Sequence, residues 1–452
     1  MALGLRFTDG STTVNVSDGT TGLLLEWTPR VGVGGAAVES ARVMLLGNLA
    51  TVRTNTETLT RLFEQAAAYD RGEAVSRVYA ETKYHNDTAW KRSPLTVRVT
   101  GMAGVDTAGA IAPTLQAVDL GLAQGKAIFT VTFTRADYWE GAEAQVALTN
   151  DNGTANTTGL PIYGINDGDG TAPAKRVNYA DIAAASVMGD LPAPTRLELT
   201  NAYNDADELS AIWIGQNWTD PAGCVWAYEA EAGAAGAPGA GNSGGQYVVK
   251  SVYNSEQVQL AYTLTAKQLS AFGGQTVHAV LRFGALMIDP SHLRFRLRLK
   301  SGASILWSSP QVMTATDLSK IHDLYTLRMP PWLPGTSGAL TLELRAYSAN
   351  TRNVYYDTLY LMPADGWRVL KPRPGAAYGE VVVDDAVNDR AYVASSGGAA
   401  VCPVLAQGQP IHLAPGKRQR LYLLLHGWTT GGAEVDRLVT AKLYYRPRWR
   451  AL

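Results

Sequence analysis

The run from Leu293 to Lys300 alternates strictly between apolar and basic side chains. Leucine or phenylalanine stands at 293, 295, 297 and 299, and arginine or lysine stands at each position between. The run from Leu340 to Ala346 repeats the pattern, with Thr341, Glu343 and Arg345 as its polar members. Successive side chains of a strand point to opposite faces of a sheet. This period of two therefore predicts strands with one buried and one solvated face.

Short predicted strands of similar spacing surround these two. They cover residues 196–200, 211–215, 246–252, 257–264, 277–283 and 354–361. A series of antiparallel strands without a helical period is typical of a β-sandwich of the jelly-roll type. We therefore predict a mainly β, multi-domain protein with an N-terminal β-sandwich-like domain, a central jelly-roll β-sandwich and a C-terminal β segment.

One segment near the N-terminus has a helical period instead. Between residues 54 and 69, apolar side chains recur every three or four positions, at 59, 62, 63, 66 and 67. This spacing predicts an amphipathic helix. Thr54 or Asn55 is the expected N-cap, because both side chains can accept a hydrogen bond from a free amide of the first turn.

The chain of 452 residues is too long for one core and predicts two or three domains. We expect an N-terminal domain at 1–150, a turn-rich linker or long loop at 151–194, the jelly roll at 195–368 and a C-terminal segment at 369–452. The last segment is predicted to close as a hairpin, with residues 421–426 paired to residues 438–449. Val439, Ala441, Leu443 and Tyr445 form the expected buried face of its second strand.

The composition excludes several classes of protein. Lysine and arginine number 39 against 40 aspartates and glutamates, so no overall charge favours nucleic acid as a partner. Two cysteines, Cys224 and Cys402, cannot form a disulfide framework. No apolar run is long enough to span a bilayer, and the first residues lack the pattern of a secretion signal. We therefore expect synthesis in a cytosol, without a membrane span.

Two distant sequence motifs resemble those of a known family. They are "FTRADYWEG", ending at Gly141, and the C-terminal pair "PGKRQRLYLLL" and "AKLYYRPRW". Both resemble segments of the distal-tail and minor tail proteins of long-tailed bacteriophages, over about two fifths of the chain.

The resemblance implies a structural, non-enzymatic protein of the virion tail tip, assembled in the bacterial cytoplasm. It implies a homo-oligomeric ring, as a hexamer or a trimer, with the tail tube and tail hub as partners. The interface candidates are Trp139, Lys417, Arg418, Arg420, Arg446 and Arg448. The simpler interpretation is that Trp139 is a core residue and that the basic side chains form a solvated strand face.

A third stretch, "EAEAG" from Glu229 followed by "GGQYVV" from Gly244, resembles the entry of jelly-roll carbohydrate-binding modules. In that family two glutamates and a late aspartate hold a structural Ca²⁺ ion. The matching residues here are Glu229, Glu231 and Asp357, and carboxylates are suitable ligands for this ion. Trp218 and Trp332 lie next to proline-containing turns and are the candidates for stacking against a host-surface glycan.

The sequence contains no recognisable catalytic motif. Its six histidines are scattered, and no zinc, nucleotide or nucleophile-elbow pattern is present. Asp323, Glu343 and Asp357 are the carboxylates that could serve a glycosidase. The preferred hypothesis is therefore a non-enzymatic tail protein. The alternatives are a free carbohydrate-binding protein or adhesin and, less favoured, a polysaccharide-degrading enzyme.

Overall fold

The structure is a computed structural model, and every structural statement below refers to the residues that it describes. These are 3–32, 35–96, 114–119, 125–150, 153–166, 176–203, 208–218, 227–238, 242–265, 273–285, 293–313, 320–329, 331, 340–427 and 437–452.

The described residues are mainly β-strands, which confirms the predicted fold class. In chain order, the first half contains β1 (Leu3–Thr8), β2 (Thr13–Asn15), β3 (Gly22–Glu26), β4 (Ala36–Leu46), β5 (Tyr79–Tyr84), β6 (Lys91–Pro94), β7 (Thr114–Asp119), β8 (Lys126–Ala136), β9 (Trp139–Glu140), β10 (Ala144–Val146), β11 (Leu148–Asn150), β12 (Gly153–Asn156), β13 (Leu160–Tyr163), β14 (Tyr179–Ile182), β15 (Ala193–Asn201), β16 (Leu209–Asn217), β17 (Ala227–Glu229) and β18 (Ala237–Pro238).

The second half contains β19 (Gln246–Val252), β20 (Gln257–Leu264), β21 (Thr276–Phe283), β22 (Leu293–Ser301), β23 (Ser304–Ser308), β24 (Val312–Met313), β25 (Ile321–Arg328), β26 (Leu340–Ser348), β27 (Arg352–Pro363), β28 (Trp367–Pro372), β29 (Val381–Asp385), β30 (Arg390–Ala394), β31 (Ala400–Gly408), β32 (His412–Leu413), β33 (Gln419–Gly427), β34 (Leu438–Tyr445) and β35 (Arg448–Trp449). The α-helices are α1 (Leu49–Asp70) and α2 (Ala230–Gly233).

The chain divides into two compact units. Unit 1 comprises residues 1–144, 188–193 and 446–452, and unit 2 comprises residues 145–187 and 194–445. This division differs from the four predicted segments, because the end of the chain belongs to unit 1 and the predicted linker belongs mostly to unit 2. Strand alternation predicts which residues are buried and gives no information about which strands pair.

Unit 1 contains two sheets and helix α1 around one core. The first sheet has the order β2-β1-β5-β6-β9-β35, and the second has the order β3-β4-β8-β7. Phe7 of the first sheet lies edge-on to Phe63 of the helix and to Phe133 of the second sheet, with ring centroids 5.2 Å apart in each pair. The aromatic contacts therefore join all three layers of the core.

Helix α1 begins about one and a half turns earlier than predicted. Its N-cap is Asn48, whose side-chain oxygen accepts a hydrogen bond from the amide of Thr51 at 2.9 Å. The prediction of Thr54 or Asn55 as the cap is wrong. In the added turns only Val52 is buried, so the apolar period that marks the helix becomes visible only from Leu59 onward.

The sandwich in unit 2 is formed by two sheets, β18-β19-β27-β21-β25 and β20-β26-β22-β23, with β17 beside β27 and β24 beside β22. Their inner faces share one hydrophobic core. Phe295 of β22 packs against Phe283 of β21 and Tyr356 of β27, at centroid distances of 5.9 and 6.2 Å. As the alternation predicts, Leu293, Phe295, Leu297 and Leu299 are all buried.

A second, larger sheet of unit 2 follows the order β10-β34-β15-β29-β30-β31-β28-β16-β33-β14-β11-β12. The strand pairing in this sheet contradicts the predicted closing hairpin. Strand β33 pairs with β16 and β14, whereas β34 pairs with β15 and β13. The predicted buried face of β34 is confirmed, because its four apolar side chains lie in the core.

The predicted linker at 151–194 contributes strands to this same sheet. Strand β12 pairs with β11, β13 with β34, and β14 with β33. Ile162 and Ile182 are buried there. The described part of this segment therefore belongs to the sheet instead of forming a free connector. Among the described residues, no helix is long and apolar enough to cross a membrane.

Candidate functional site

The last residues of the C-terminal motif meet the N-terminal motif in unit 1. Strand β35 pairs antiparallel with β9, so that Arg448 lies opposite Glu140 and Trp449 lies opposite Trp139. The guanidinium of Arg448 donates two hydrogen bonds to Oε1 of Glu140, at 3.0 and 2.7 Å. It also lies over the ring of Tyr138, 3.9 Å from its centroid.

Glycine is required where the two motifs approach each other. The amide of Gly141 donates a hydrogen bond to the carbonyl of Pro447 at 2.9 Å. A Cβ at Gly141 would lie 2.9 Å from the ring of Trp449, which is closer than normal van der Waals contact. Arg446 donates to the carbonyl of Gly141 at 3.1 Å. Burial and the nearby positive charge of Arg92 lower the pKa of Arg446.

Trp139 lies in the core of unit 1, with only 1% of its surface exposed. The guanidinium of Arg135 stacks on its ring at 4.2 Å, and Trp27 packs against it edge-on at 6.3 Å. Its position agrees with the core interpretation. Its buried ring cannot form part of an exposed contact surface in this conformation.

The basic residues of the C-terminal turn have different surroundings. Lys417 and Arg418 are exposed, whereas Arg420 is half-buried. Arg420 donates hydrogen bonds to both carboxylate oxygens of Asp181, at 2.6 and 2.8 Å, and lies 3.8 Å from the ring centroid of Tyr179. Arg420 is therefore engaged within unit 2. Arg418 also lies 3.5 Å from Oδ2 of Asp181, but it is exposed and, like Lys417, can meet another molecule.

The residues matched to the calcium site come together at one corner of the sandwich. Glu229 ends β17, Glu231 lies on α2, and Asp357 lies on β27. Ser243 connects two of them, because its amide donates to Oδ1 of Asp357 at 2.9 Å and its hydroxyl lies 2.8 Å from Oε1 of Glu229. Thr358 donates to Oε2 of Glu229 at 2.9 Å.

Burial raises the pKa values of two carboxyl groups at this corner. It raises the pKa of Glu229 from 4.5 to about 7, although hydrogen bonds from Ser243 and Thr358 act in the opposite direction. The negative charge of Glu231 also raises the pKa of Glu229, by less than burial does, because it disfavours a second negative charge nearby. Burial also raises the pKa of Glu231 itself.

These carboxylates do not fit a Ca²⁺ site. Across the described residues, no group of three acidic, histidine or cysteine side chains is arranged to hold a metal ion. The guanidinium of Arg282 lies directly against Oδ2 of Asp357 and forms a buried ion pair with it. Arg282 stands within the apolar run from Val280 to Phe283, and an arginine in such a run requires a buried acidic partner.

The sugar-binding candidates are only partly covered by the structure. Trp218 is half-buried, and its indole nitrogen donates a hydrogen bond to the carbonyl of His412 at 3.3 Å. Trp332 lies outside the described residues.

The three candidate catalytic carboxylates have separate surroundings. Asp323 accepts a hydrogen bond from the indole of Trp213 at 2.8 Å and lies 3.1 Å from Nε2 of His278. Glu343 pairs with Lys300 and Arg345 on the outer face of the other sheet. Asp357 pairs with Arg282. Each carboxylate therefore has its own partners, and these contacts link none of the three to another.

Comparison with known proteins gives no family assignment. No family model and no curated protein matches the chain. Among solved structures, it is similar to a chain of the phage P2 baseplate in its activated conformation with Ca, at 8% identity and a TM-score of 0.28 over the whole of both chains.

Two further solved structures show weaker similarity. The phage p2 baseplate in its activated conformation with Sr matches at 9% identity and a TM-score of 0.21, over 79% of this chain and 98% of the other. The subviral particle of infectious bursal disease virus VP2 matches at 9% identity and a TM-score of 0.17, over 68% and 82%. Similarities at these TM-scores carry no argument about fold or function.

Proposed function

We propose that this chain is a structural component of the tail tip of a long-tailed bacteriophage. In this proposal unit 1 assembles with other copies into a ring that contacts the tail tube and tail hub. The sandwich of unit 2 contacts a host-surface glycan or a neighbouring tail protein. The proposal assigns the protein an assembly role rather than a catalytic one.

The observation that carries the proposal is the pairing of β9 with β35. The motifs that resemble tail proteins are distant in the sequence, because Glu140 and Arg448 lie 308 positions apart in the chain. In the structure they form one strand pair with a shared ion pair. Two unrelated chance resemblances would have no reason to meet, whereas two parts of one structural element would.

An apolar strand at a sheet edge supports self-assembly. Strand β3 ends the order β3-β4-β8-β7, and its outward side chains Leu23 and Leu25 are 40% and 44% exposed. The free hydrogen-bonding groups of an exposed edge strand favour pairing with another chain. If the contact joins two different surfaces of neighbouring copies, repeated copies close into a ring when the rotation permits it.

Negative-stain electron microscopy of the purified full-length protein tests this assembly. We expect ring-shaped particles for the native sequence and single copies for the double variant Leu23→Lys/Leu25→Lys, because charges on an edge strand oppose pairing. Val75→Lys is the matched control, since Val75 is an apolar residue of unit 1 that is 92% exposed and lies outside the strands.

The possible outcomes distinguish a failure of the proposed contact at β3 from a failure of the proposed tail-tip role. Rings that persist in the double variant would place the contact elsewhere and would leave the tail-tip role intact. Single copies of the native protein would contradict ring assembly. If those copies also bound immobilised glycans and lost binding in Trp218→Ala, they would support a free carbohydrate-binding protein.

A further inference from the structure

The corner of the sandwich that contains Glu229, Glu231 and Asp357 has one buried positive charge. The side chains of Arg282 and Asp357 are both fully buried, with 0% of their surface exposed. A buried charge is stable only when a partner compensates it. The ion pair between Arg282 and Asp357 supplies that compensation inside the fold.

The backbone directs Arg282 toward the carboxylates. Arg282 lies on β21 opposite Thr358 of β27, which places it beside Asp357. The register of the two strands shifts between Arg282 and Phe283. Such a bulge changes the direction in which a strand presents its side chains. The strand interior can therefore hold an arginine next to an acidic residue of its neighbour.

The same corner fixes a loop to the sandwich. Asp357 contacts Arg282 through Oδ2 and accepts the amide of Ser243 through Oδ1. The next residue, Gly244, donates its amide to the carbonyl of Asn166 at 2.7 Å. A Cβ at Gly244 would collide with Oε1 of Glu231, so this loop lies directly on the acidic group. Asp357 thus links the loop to the buried guanidinium.

We infer that Arg282 serves as the built-in cation of this corner: its guanidinium compensates the buried carboxylate of Asp357, so that the corner needs no divalent ion. A guanidinium offers several fixed donors to carboxylate oxygens and carries its charge permanently. The sandwich is therefore stable without a bound metal ion. Removing the guanidinium is expected to leave the carboxylate of Asp357 buried without its partner.

Thermal unfolding of the full-length protein, with CaCl₂ or with EDTA, tests this inference. We expect the melting temperature of the native protein to be the same in both. Arg282→Ala should melt about 10 °C lower in both, because a buried carboxylate loses its partner. Arg294→Ala is the matched control, because it removes an exposed arginine of the same sandwich.

Two further variants keep the test decisive if Arg282→Ala does not fold. Arg282→Lys retains the charge and is expected to remain independent of calcium. The double variant Arg282→Ala/Asp357→Asn removes both charges and is expected to fold without calcium. A native protein that is stabilised by CaCl₂ or destabilised by EDTA would overturn the inference. So would an Arg282→Ala variant whose melting temperature matches that of the native protein.

Discussion

Replacing Arg135 with alanine is expected to cost unit 1 about 3–5 kcal/mol of its stability, because the change leaves a buried carboxylate without its partner. Arg135 and Glu39 form an ion pair at 2.7 Å, and the side chains of both are fully buried. They lie on neighbouring strands, β8 and β4, in the middle of the unit.

The surrounding contacts explain why the loss should be large. Arg135 also donates to the carbonyls of Ala136 and Arg30, at 2.8 and 2.6 Å. Glu39 accepts hydrogen bonds from the indole of Trp27 at 3.2 Å and from the amide of Arg30 at 3.0 Å. One arginine therefore holds two strands and the segment around Arg30 in a fully paired buried network. Such networks are costly when only one member is removed.

Native-state hydrogen exchange measures this loss locally, on peptides that cover β4 and β8. Arg53→Ala is the matched control, since it breaks an exposed ion pair with Glu57 on α1 and should leave exchange nearly unchanged. The double variant Arg135→Met/Glu39→Gln should lose less stability than Arg135→Ala alone, because it leaves no unpaired charge. Equal exchange in Arg135→Ala and the native protein would contradict the assigned role of the pair.

The second large expected effect is a dependence of stability on pH that disappears in Glu229→Gln. Burial raises the pKa of Glu229 from 4.5 to about 7, so the folded protein binds this proton more tightly than the unfolded chain does. The contribution of Glu229 to stability is therefore fully present below pH 4.5 and is lost as the pH rises through about 7. The loss is about 3 kcal/mol at most, because each pKa unit between the folded and the unfolded state corresponds to about 1.4 kcal/mol.

The contacts around Glu229 can accommodate its protonated form, although burial and not these hydrogen bonds raises its pKa. The hydroxyl of Ser243 lies 2.8 Å from Oε1 of Glu229 and 3.0 Å from the carbonyl oxygen of Asn166. One hydroxyl proton can serve only one of these acceptors. If Glu229 is protonated, it donates to Ser243, and Ser243 donates to Asn166. Glutamine retains a donor and an acceptor at this position and never ionises.

Calorimetric melting temperatures from pH 5 to pH 9 test this effect. Relative to the native protein, Glu229→Gln should become the more stable of the two as the pH rises, with little difference at the acid end. Glu57→Gln is the control, because it removes an exposed glutamate of helix α1. Parallel curves for the native protein and Glu229→Gln would show that Glu229 ionises at no cost. Added CaCl₂ is expected to leave the slope unchanged.

The buried faces of individual strands could be predicted from sequence because they depend on local alternation. The apolar positions of β22 and β34 lie in the core as expected. Strand partners could not be predicted in this way. Strands β33 and β34 have the apolar pattern of a hairpin, yet each pairs with strands from distant parts of the chain. Strand pairing depends on which faces the whole fold buries. The sequence of a single strand does not contain that information.

The contacts at the candidate sites could likewise be predicted only in part from the sequence. The sequence brought Glu229, Glu231 and Asp357 together by resemblance, and the structure places them at one corner. It did not predict that Arg282, from a strand between them in the chain, would lie against Asp357. Likewise, the contact between Glu140 and Arg448 depends on the chain end returning to unit 1. Both features need the three-dimensional path of the chain, which local patterns do not contain.

The most direct test of the proposed tail-tip role is the mass of the native full-length protein in solution. Light scattering behind a sizing column, at several protein concentrations, measures it without assumptions about shape. The proposed ring predicts a discrete closed oligomer, a hexamer or a trimer of the 48.3 kDa chain, whose mass does not grow further with concentration. A mass of one chain at every concentration would contradict self-assembly into a ring.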